Sequence, residues 1–195
     1  MKENLLRNLV EKISGKQSVE VINLLLKKEG VSENILSKRT KMPVNEIRNI
    51  LYKLSSEGIV FFNKKKDKRK GWFIYFWSLN QEKALLKIES EIIKEIEELK
   101  ASLEKRKKGR NYFCPICKNE IDEETGLEQE FVCQECNSPY SLVNNDKIIE
   151  ELNKNIQRKE KNLIEVRKEI EILESKNKRK TKKKKQTKRS IRKKK

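Results

Sequence analysis

The sequence predicts a mainly α protein with small β elements (α+β), made of two small domains and the helices that join them. Apolar residues recur every three or four positions over most of the 195-residue chain, which is the spacing of amphipathic helices. Two short runs rich in β-branched and aromatic residues, 59–62 and 72–77, interrupt this pattern and predict strands. Four cysteines in two close pairs predict a separate small module.

The first 58 residues are predicted to form four helices. Apolar stripes over 5–13 and 18–29 supply the first two. Ser32 is the expected N-cap of the third helix, and Glu33 places an acid in its first turn. Pro43 stands near the start of the fourth helix, where its missing N–H costs little.

Four helices followed by the two strands give the element order of a winged helix, which is a helix-turn-helix variant. We therefore expect a winged-helix domain over residues 1–79. The exposed side of the fourth helix mixes Glu46 with Arg48 and Lys53, a weak electrostatic face for a major groove. Little sequence-specific reading of DNA is predicted.

The loop between the two strands, 63–70, is strongly basic. On a winged helix, such a loop favours contact with nucleic-acid phosphates over the alternative, a merely solvated turn. The candidate nucleic-acid-binding residues are Lys64, Lys65, Lys66, Lys68, Arg69 and Lys70.

The second strand is apolar on both faces, so one face is left over once the winged-helix core is covered. Because an exposed aromatic patch is costly, this face is expected either to be covered by the N-terminal helix or the linker helix, or to bind a partner. The candidate partner-binding residues are Trp72, Tyr75 and Trp77.

Two long helices are predicted on either side of the cysteine module. A charged linker helix is expected over 80–109, since no Gly or Pro occurs between 80 and 107. A C-terminal helix over 144–177 follows a heptad pattern with Lys159 at one inner position. The two helices are expected either to form an antiparallel pair with the cysteine module at its tip, or to pack on a partner protein.

The cysteine module, 110–143, has the spacing of a zinc ribbon. Cys114 and Cys117 form one C-x2-C pair, and Cys133 and Cys136 form the second after 15 intervening residues, enough for a β-hairpin. Four thiolates satisfy tetrahedral Zn²⁺ and leave no open position, so one structural zinc ion is expected. Iron in a four-thiolate centre is the alternative metal. Two disulfides are disfavoured in the reducing compartment that we expect.

The positive charge is concentrated at the C-terminal end. Residues 178–195 contain thirteen Lys or Arg and no acid, out of a formal net charge of +18. Such a block repels itself and is expected to be a disordered basic tail. It can bind polyanions through counterion release, and a solubilising role is the alternative.

The composition disfavours several function classes. The chain has no His and no Gly-rich phosphate loop, so no enzyme is predicted. No run approaches the roughly 18 consecutive apolar residues of a membrane span. The N-terminus is amphipathic and contains acids, unlike a signal peptide. We therefore expect an intracellular, non-enzymatic protein without a membrane partner.

Three blocks, in their order along the chain, resemble archaeal transcription factor E, a family similar to the alpha subunit of eukaryotic general transcription factor IIE. They are 47–54 (IRNILYKL), 71–77 (GWFIYFW) after the basic loop, and 112–117 (YFCPIC) with the second cysteine pair behind it. The resemblance covers about residues 1–175. The basic tail after Lys176 departs from the family pattern.

The resemblance implies an extended winged helix that binds the RNA polymerase clamp, with the polymerase stalk and the TATA-binding protein as further partners. It implies help in opening promoter DNA and in holding the separated non-template strand, with 64–70 near that strand. The four cysteines match the family's metal ligands, and a second factor subunit is a further candidate partner. The expected location is the cytoplasm of an archaeal cell, associated with the nucleoid, or the nucleus if the source is eukaryotic.

The main alternative function is a gene-specific winged-helix repressor that binds duplex operator DNA as a dimer through the heptad helix. Glu46 argues against it, because a recognition helix of that kind should be more basic. A zinc-dependent or redox enzyme is disfavoured by the closed four-thiolate site and the missing His. A structural RNA-associated protein that uses the basic tail is the third alternative.

Overall fold

The computed structural model describes residues 3–66 and 71–192, and the side chains of 3–66 and 71–177. The protein is mainly α-helical with two small antiparallel sheets, which confirms the predicted fold class. Its contacts divide it into two units, one of Met1–Ser90 with Glu165–Lys195 and one of Glu91–Ile164. Among the described residues, no helix combines the length and the apolar character needed to cross a membrane.

The first unit contains the winged helix, in which four helices precede a two-stranded wing. A two-residue strand between the second and third helices, which the sequence did not predict, adds a third member to the sheet. The elements are α1 (Glu3–Ser14), α2 (Gln17–Lys27), β1 (Val31–Ser32), α3 (Glu33–Thr40), α4 (Val44–Ser56), β2 (Val60–Lys66) and β3 (Phe73–Leu79).

The remaining elements are two long helices and the small sheet between them in sequence. They are α5 (Gln81–Lys108), β4 (Asn111–Phe113), β5 (Glu120–Asp122), α6 (Glu123–Glu128), β6 (Ser141–Leu142) and α7 (Asn145–Arg192). Asn80 caps α5, because its Oδ1 accepts a hydrogen bond from the Lys83 N–H at 3.1 Å.

The wing strands are longer than predicted. β2 pairs with β3 in antiparallel register from Val60 opposite Leu79 to Lys66 opposite Phe73, so three lysines predicted for a loop lie in a strand. The lysines are compatible with the strand because they cover aromatic rings across it. The Nζ of Lys64 lies 5.3 Å from the centre of the Phe73 ring, a cation–π contact.

The core of the first unit forms where the four short helices meet the sheet. Trp77 of β3 is completely buried there, and the Ser18 hydroxyl donates to the Val10 carbonyl at 2.8 Å beneath α1. The start of α5 contributes Ala84 and Leu85 to the same buried set. Other fully buried side chains are Leu6, Val10, Val21, Ile22, Leu36, Ile47, Leu51, Leu54 and Ile59.

Within each unit, α5 and α7 pair in antiparallel fashion, as one of the two hypotheses expected. In the second unit, Glu95 binds Lys159 and Arg106 Nη1 donates to the Asn145 side chain at 3.2 Å. In the first unit, Arg167 Nε donates to Glu89 at 2.7 Å and the Asn177 amide donates to Glu82 at 3.2 Å. Buried apolar residues line the pairing: Ile92, Ile96, Leu103 and Ile156 in the second unit, and Ile88 and Val166 in the first.

α7 continues up to Arg192, through residues for which the sequence predicts a disordered basic tail from 178. Lys, Arg and Gln are good helix formers, and no Gly or Pro occurs between 145 and 192. Extending a helix that already exists avoids the cost of nucleating a new one. Residues 193–195 of the predicted tail lie outside the described part of the chain.

Candidate metal centre and nucleic-acid interface

The four cysteines lie on a small domain built around the sheet β5-β4-β6. The spacer between the two cysteine pairs contains β5 and α6, not the predicted hairpin. The Asp122 carboxylate starts α6 by accepting a hydrogen bond from the Thr125 N–H at 2.9 Å. Hydrogen bonding from the Thr125 side chain, and then from its N–H, lowers the Asp122 pKa. Phe131 then packs on Tyr112 of β4 with ring centres 4.5 Å apart, which brings the second cysteine pair back to the first.

Each cysteine pair sits on the same tight turn. The Lys118 N–H donates to the Cys114 carbonyl at 2.9 Å, and the Asn137 N–H donates to the Cys133 carbonyl at 2.8 Å. Lys118 and Asn137 both adopt left-handed backbone angles, with φ of 58° and 56°. Because both pairs have this turn geometry, the two sulfurs of each pair point toward a common site.

The four sulfur atoms converge. All four lie within 4.8 Å of one another, and the sulfurs of Cys114 and Cys136 are 3.5 Å apart. Tetrahedral Zn²⁺ with Zn–S bonds of about 2.3 Å requires sulfurs about 3.8 Å apart. Cys114 and Cys133 are buried and Cys117 and Cys136 are half-buried, so the four residues could hold one metal ion shielded from solvent.

The backbone around the second pair favours thiolates, which are the form that binds a metal. Hydrogen bonding from the backbone of Glu135 lowers the pKa of Cys133 to about 6. Hydrogen bonding from the backbone of Ser138 likewise lowers the pKa of Cys136. The pKa of Cys117 is raised, chiefly because its thiol hydrogen-bonds to Cys136. Both thiols of the second pair are thus more readily ionised than that of Cys117.

The predicted nucleic-acid-binding residues are only partly described. Lys64, Lys65 and Lys66 are exposed on β2, whereas Lys68, Arg69 and Lys70 lie outside the described residues. Side chains alternate along a strand, so Lys64 and Lys66 share one face with Phe62 while Lys65 lies on the other. Both faces of the wing therefore carry positive charge.

The three predicted partner-binding residues differ in accessibility. Trp72 is 70% exposed and Tyr75 is half-buried. Trp77 is completely buried, with its ring centre 5.1 Å from Phe62 and 5.9 Å from Tyr52, so its prediction as a surface contact is corrected to a core role. Trp77 is buried because it lies at the base of the wing, where β3 passes between β1 and β2.

An exposed aromatic surface extends beyond the predicted residues. Phe61, Phe62 and Phe73 are 45%, 42% and 54% exposed. Sequence reasoning treated Phe61 and Phe62 only as strand formers, because the run 59–62 is apolar throughout and shows no alternation that would mark an exposed face. The aromatic surface covers both β2 and β3, and the described lysines lie on β2.

Sequence reasoning also missed a buried ion pair beneath α4. The Glu33 carboxylate is 7% exposed and accepts hydrogen bonds from Arg48 Nη2 at 2.8 Å and from Trp77 Nε1 at 3.3 Å. The hydrogen bond to Glu33 raises the pKa of Arg48 further. Arg48, one of the few cations on the exposed side of α4, is therefore already paired with an acid of the protein itself.

Comparison with known families agrees with these features. Residues 4–108, more than half of the chain, match the family described as the TFIIE alpha subunit. The chain belongs to this family. The matched region spans the winged helix and all of α5.

Relatives in the TFIIE alpha family extend the similarity over nearly the whole chain. The relatives are proteins named transcription factor E. That of Sulfurisphaera tokodaii is 33% identical over 74% of this chain and 82% of its own length. That of Thermococcus kodakarensis is 33% identical over 93% of this chain and 94% of its own length. That of Saccharolobus solfataricus is 30% identical over 90% of this chain and 97% of its own length. Family and relatives support a transcription initiation factor that associates with the transcription machinery.

Proposed function

We propose that the protein is a basal initiation factor that binds the clamp and stalk of RNA polymerase at promoter DNA and acts together with the TATA-binding protein. In this role it assists promoter opening and stabilises the open complex through the non-template strand. Family membership over residues 4–108 carries the proposal, since this region contains the winged helix with its exposed wing. Its place of action is the archaeal nucleoid.

The wing combines the two contacts that this role needs. Exposed aromatic rings such as Trp72 and Phe73 supply apolar surface for a protein partner. Lys64, Lys65 and Lys66 supply positive charge for the phosphates of an unpaired strand. The ion pair between Glu33 and Arg48 and the acid Glu46 leave α4 poorly suited to reading base edges, so polymerase and not DNA sequence positions the factor.

The cysteine site suits one structural Zn²⁺, held by Cys114, Cys117, Cys133 and Cys136. When bound, zinc cross-links the two turns and makes the small sheet stable. Four protein ligands close the coordination sphere, so this site has a folding role and the protein acts by binding and not by catalysis. Isothermal titration with Zn²⁺ after chelation should give one site per chain, and two or more sites would contradict the proposal.

Retention by purified RNA polymerase tests the main proposal. The intact chain should be retained, and a Trp72→Ala, Phe73→Ala variant should lose most of the retention because it removes exposed rings without touching the core. A Leu86→Ala, Ile172→Ala variant is the matched control, since these side chains are also exposed, at 46% and 52%, but lie on helices. No retention of the intact chain, together with a defined footprint on duplex DNA, would favour the repressor instead.

A further inference from the structure

Helix α7 changes its electrostatic character at one point along its length. Residues 145–177 contain eight acids and eight bases, so this part of the helix has no net charge. Residues 178–195 contain thirteen bases and no acid, and the helix continues through them to Arg192. A general enrichment in lysine would spread charge along the helix and would not produce this boundary.

The boundary coincides with the end of the helix pairing. The Asn177 side chain donates to Glu82 at 3.2 Å, and α5 begins at Gln81. Since the two helices run antiparallel, α5 has no further residues to place opposite positions beyond 178. Before the boundary, bases of α7 meet acids of α5, as Arg167 meets Glu89 at 2.7 Å. α5 carries no acid before Glu82.

The charge density of the basic segment matches that of a nucleic-acid duplex. Ten of the fifteen residues 178–192 are Lys or Arg. At about 1.5 Å of rise per residue the segment is about 22 Å long, which gives one positive charge per roughly 2 Å. Duplex DNA carries one negative charge per roughly 1.7 Å of axis, whereas one strand carries half of that. On charge density, the helical segment therefore matches a duplex better than a single strand.

We propose that residues 178–192 of α7 form a sequence-independent binding element for duplex DNA. It adds to the proposed function a second contact, to unmelted DNA, that depends neither on the wing nor on polymerase. Like charges at positions such as Lys178 and Lys182 destabilise a helix, and phosphates relieve that repulsion. DNA binding should therefore further stabilise the helix in this segment. Seven of the ten bases in 178–192 are lysines, which lack the bidentate geometry of arginine, so the segment should give affinity with little base reading.

Two full-length variants separate charge from helix propensity. In one, Lys182, Lys183, Lys184 and Lys185 are replaced by Gln; in the other, the same four are replaced by Arg. Both replacements favour helix, but only Arg keeps the charge. The probe is a fluorescein-labelled duplex of about 30 base pairs and mixed sequence, followed by fluorescence anisotropy over a range of salt concentrations.

The Gln variant should bind the duplex at least about 10-fold more weakly at low salt, with a salt dependence shallower by up to about 3.6 in log–log slope, or about 0.9 per lost contact. The Arg variant should match the wild type, and a Lys64→Gln, Lys65→Gln, Lys66→Gln wing variant should keep most of the slope. Circular dichroism at 222 nm should increase on duplex addition in the wild type more than in the Gln variant. An unchanged slope in the Gln variant overturns the proposal.

Competitors decide between the classes of polyanion. Tighter binding of a single strand, duplex RNA or anionic phospholipid vesicles than of the DNA duplex would overturn the assignment to duplex DNA. Retention of the Gln variant on RNA polymerase should equal that of the wild type. Failure of this inference is thereby distinguishable from failure of the initiation-factor proposal, which the polymerase experiment tests separately.

Discussion

The buried carboxylate of Glu33 binds the guanidinium of Arg48 through two hydrogen bonds, from Nε at 3.1 Å and from Nη2 at 2.8 Å. The residues are 15 positions apart, at the start of α3 and on the second turn of α4. The other carboxylate oxygen accepts from Trp77, so a single acid joins two helices and the wing. A charged group that is nearly inaccessible to water requires such partners.

Replacing Glu33 by Gln should destabilise the winged helix by about 1–3 kcal/mol, because hydrogen bonds to a charged group are lost while Arg48 stays in place. Urea unfolding followed by tryptophan fluorescence measures the change, since Trp77 lies at the site. Glu20→Gln, an exposed acid on α2, is the matched control and should change stability by less than about 0.5 kcal/mol. Equal midpoints for the two variants would show that the ion pair contributes nothing.

Replacing Gly126 by Ala should destabilise the ribbon by about 1–3 kcal/mol through overpacking. A Cβ at this position would lie 2.5 Å from the Phe131 ring, which packs on Tyr112. Gly109→Ala is the control, because no atom lies within 4 Å of its added Cβ. Thermal unfolding of the metal-loaded protein should show a lower transition for Gly126→Ala alone, and a shift in both variants would contradict the packing argument.

Removal of the metal should unfold the ribbon and leave the winged helix folded. A domain of residues 110–143 is too small to keep its sheet without the cross-link, whereas the helical core contains no cysteine. Hydrogen exchange after chelation should show lost protection over 111–142 and unchanged protection in α1–α4. Addition of Zn²⁺ should restore it. Loss of protection in both regions, or in neither, would contradict this division.

Replacing Lys159 alone by Leu should destabilise the helix pair by about 1 kcal/mol, because Glu95, about a quarter exposed, loses its ion pair with Lys159. Replacing Glu95 by Leu as well should restore or raise stability, as an apolar pair fills the inner positions. A double-mutant cycle in urea measures the coupling. Additive effects of the two substitutions would mean that the pair is not coupled in solution.

The sequence predicted most of the helical framework because its signals are local. The stripe of α4, the Ser32 position before α3 and the cysteine spacing each depend on residues close together in the chain. The strand β1 escaped prediction because two residues carry no periodicity, and it exists only through pairing of Val31 with Trp77. Tertiary pairing, not propensity, determines that element.

The remaining differences have the same origin in long-range contacts. β2 extends to Lys66 because its lysines cover rings on β3, and Trp77 is buried because β1 and β2 flank its strand. The link from Glu33 to Arg48 needs the fold before it can be seen. The helical backbone beyond residue 177 is the exception, since it continues an existing helix where like charges alone predicted disorder.

The first unit is discontinuous in the chain, with Glu91–Ile164 inserted between its two stretches. On a ribosome, Ile88 therefore emerges about 80 residues before Val166, the buried residue of α7 in the same unit. The inserted segment is complete before that second stretch is synthesised. If it takes up its metal during translation, it closes the loop and lowers the entropy that the nascent chain must lose when its last helix returns. Metal supply at the moment of synthesis would then affect how soon the last helix joins the first unit, and not whether the winged helix itself folds.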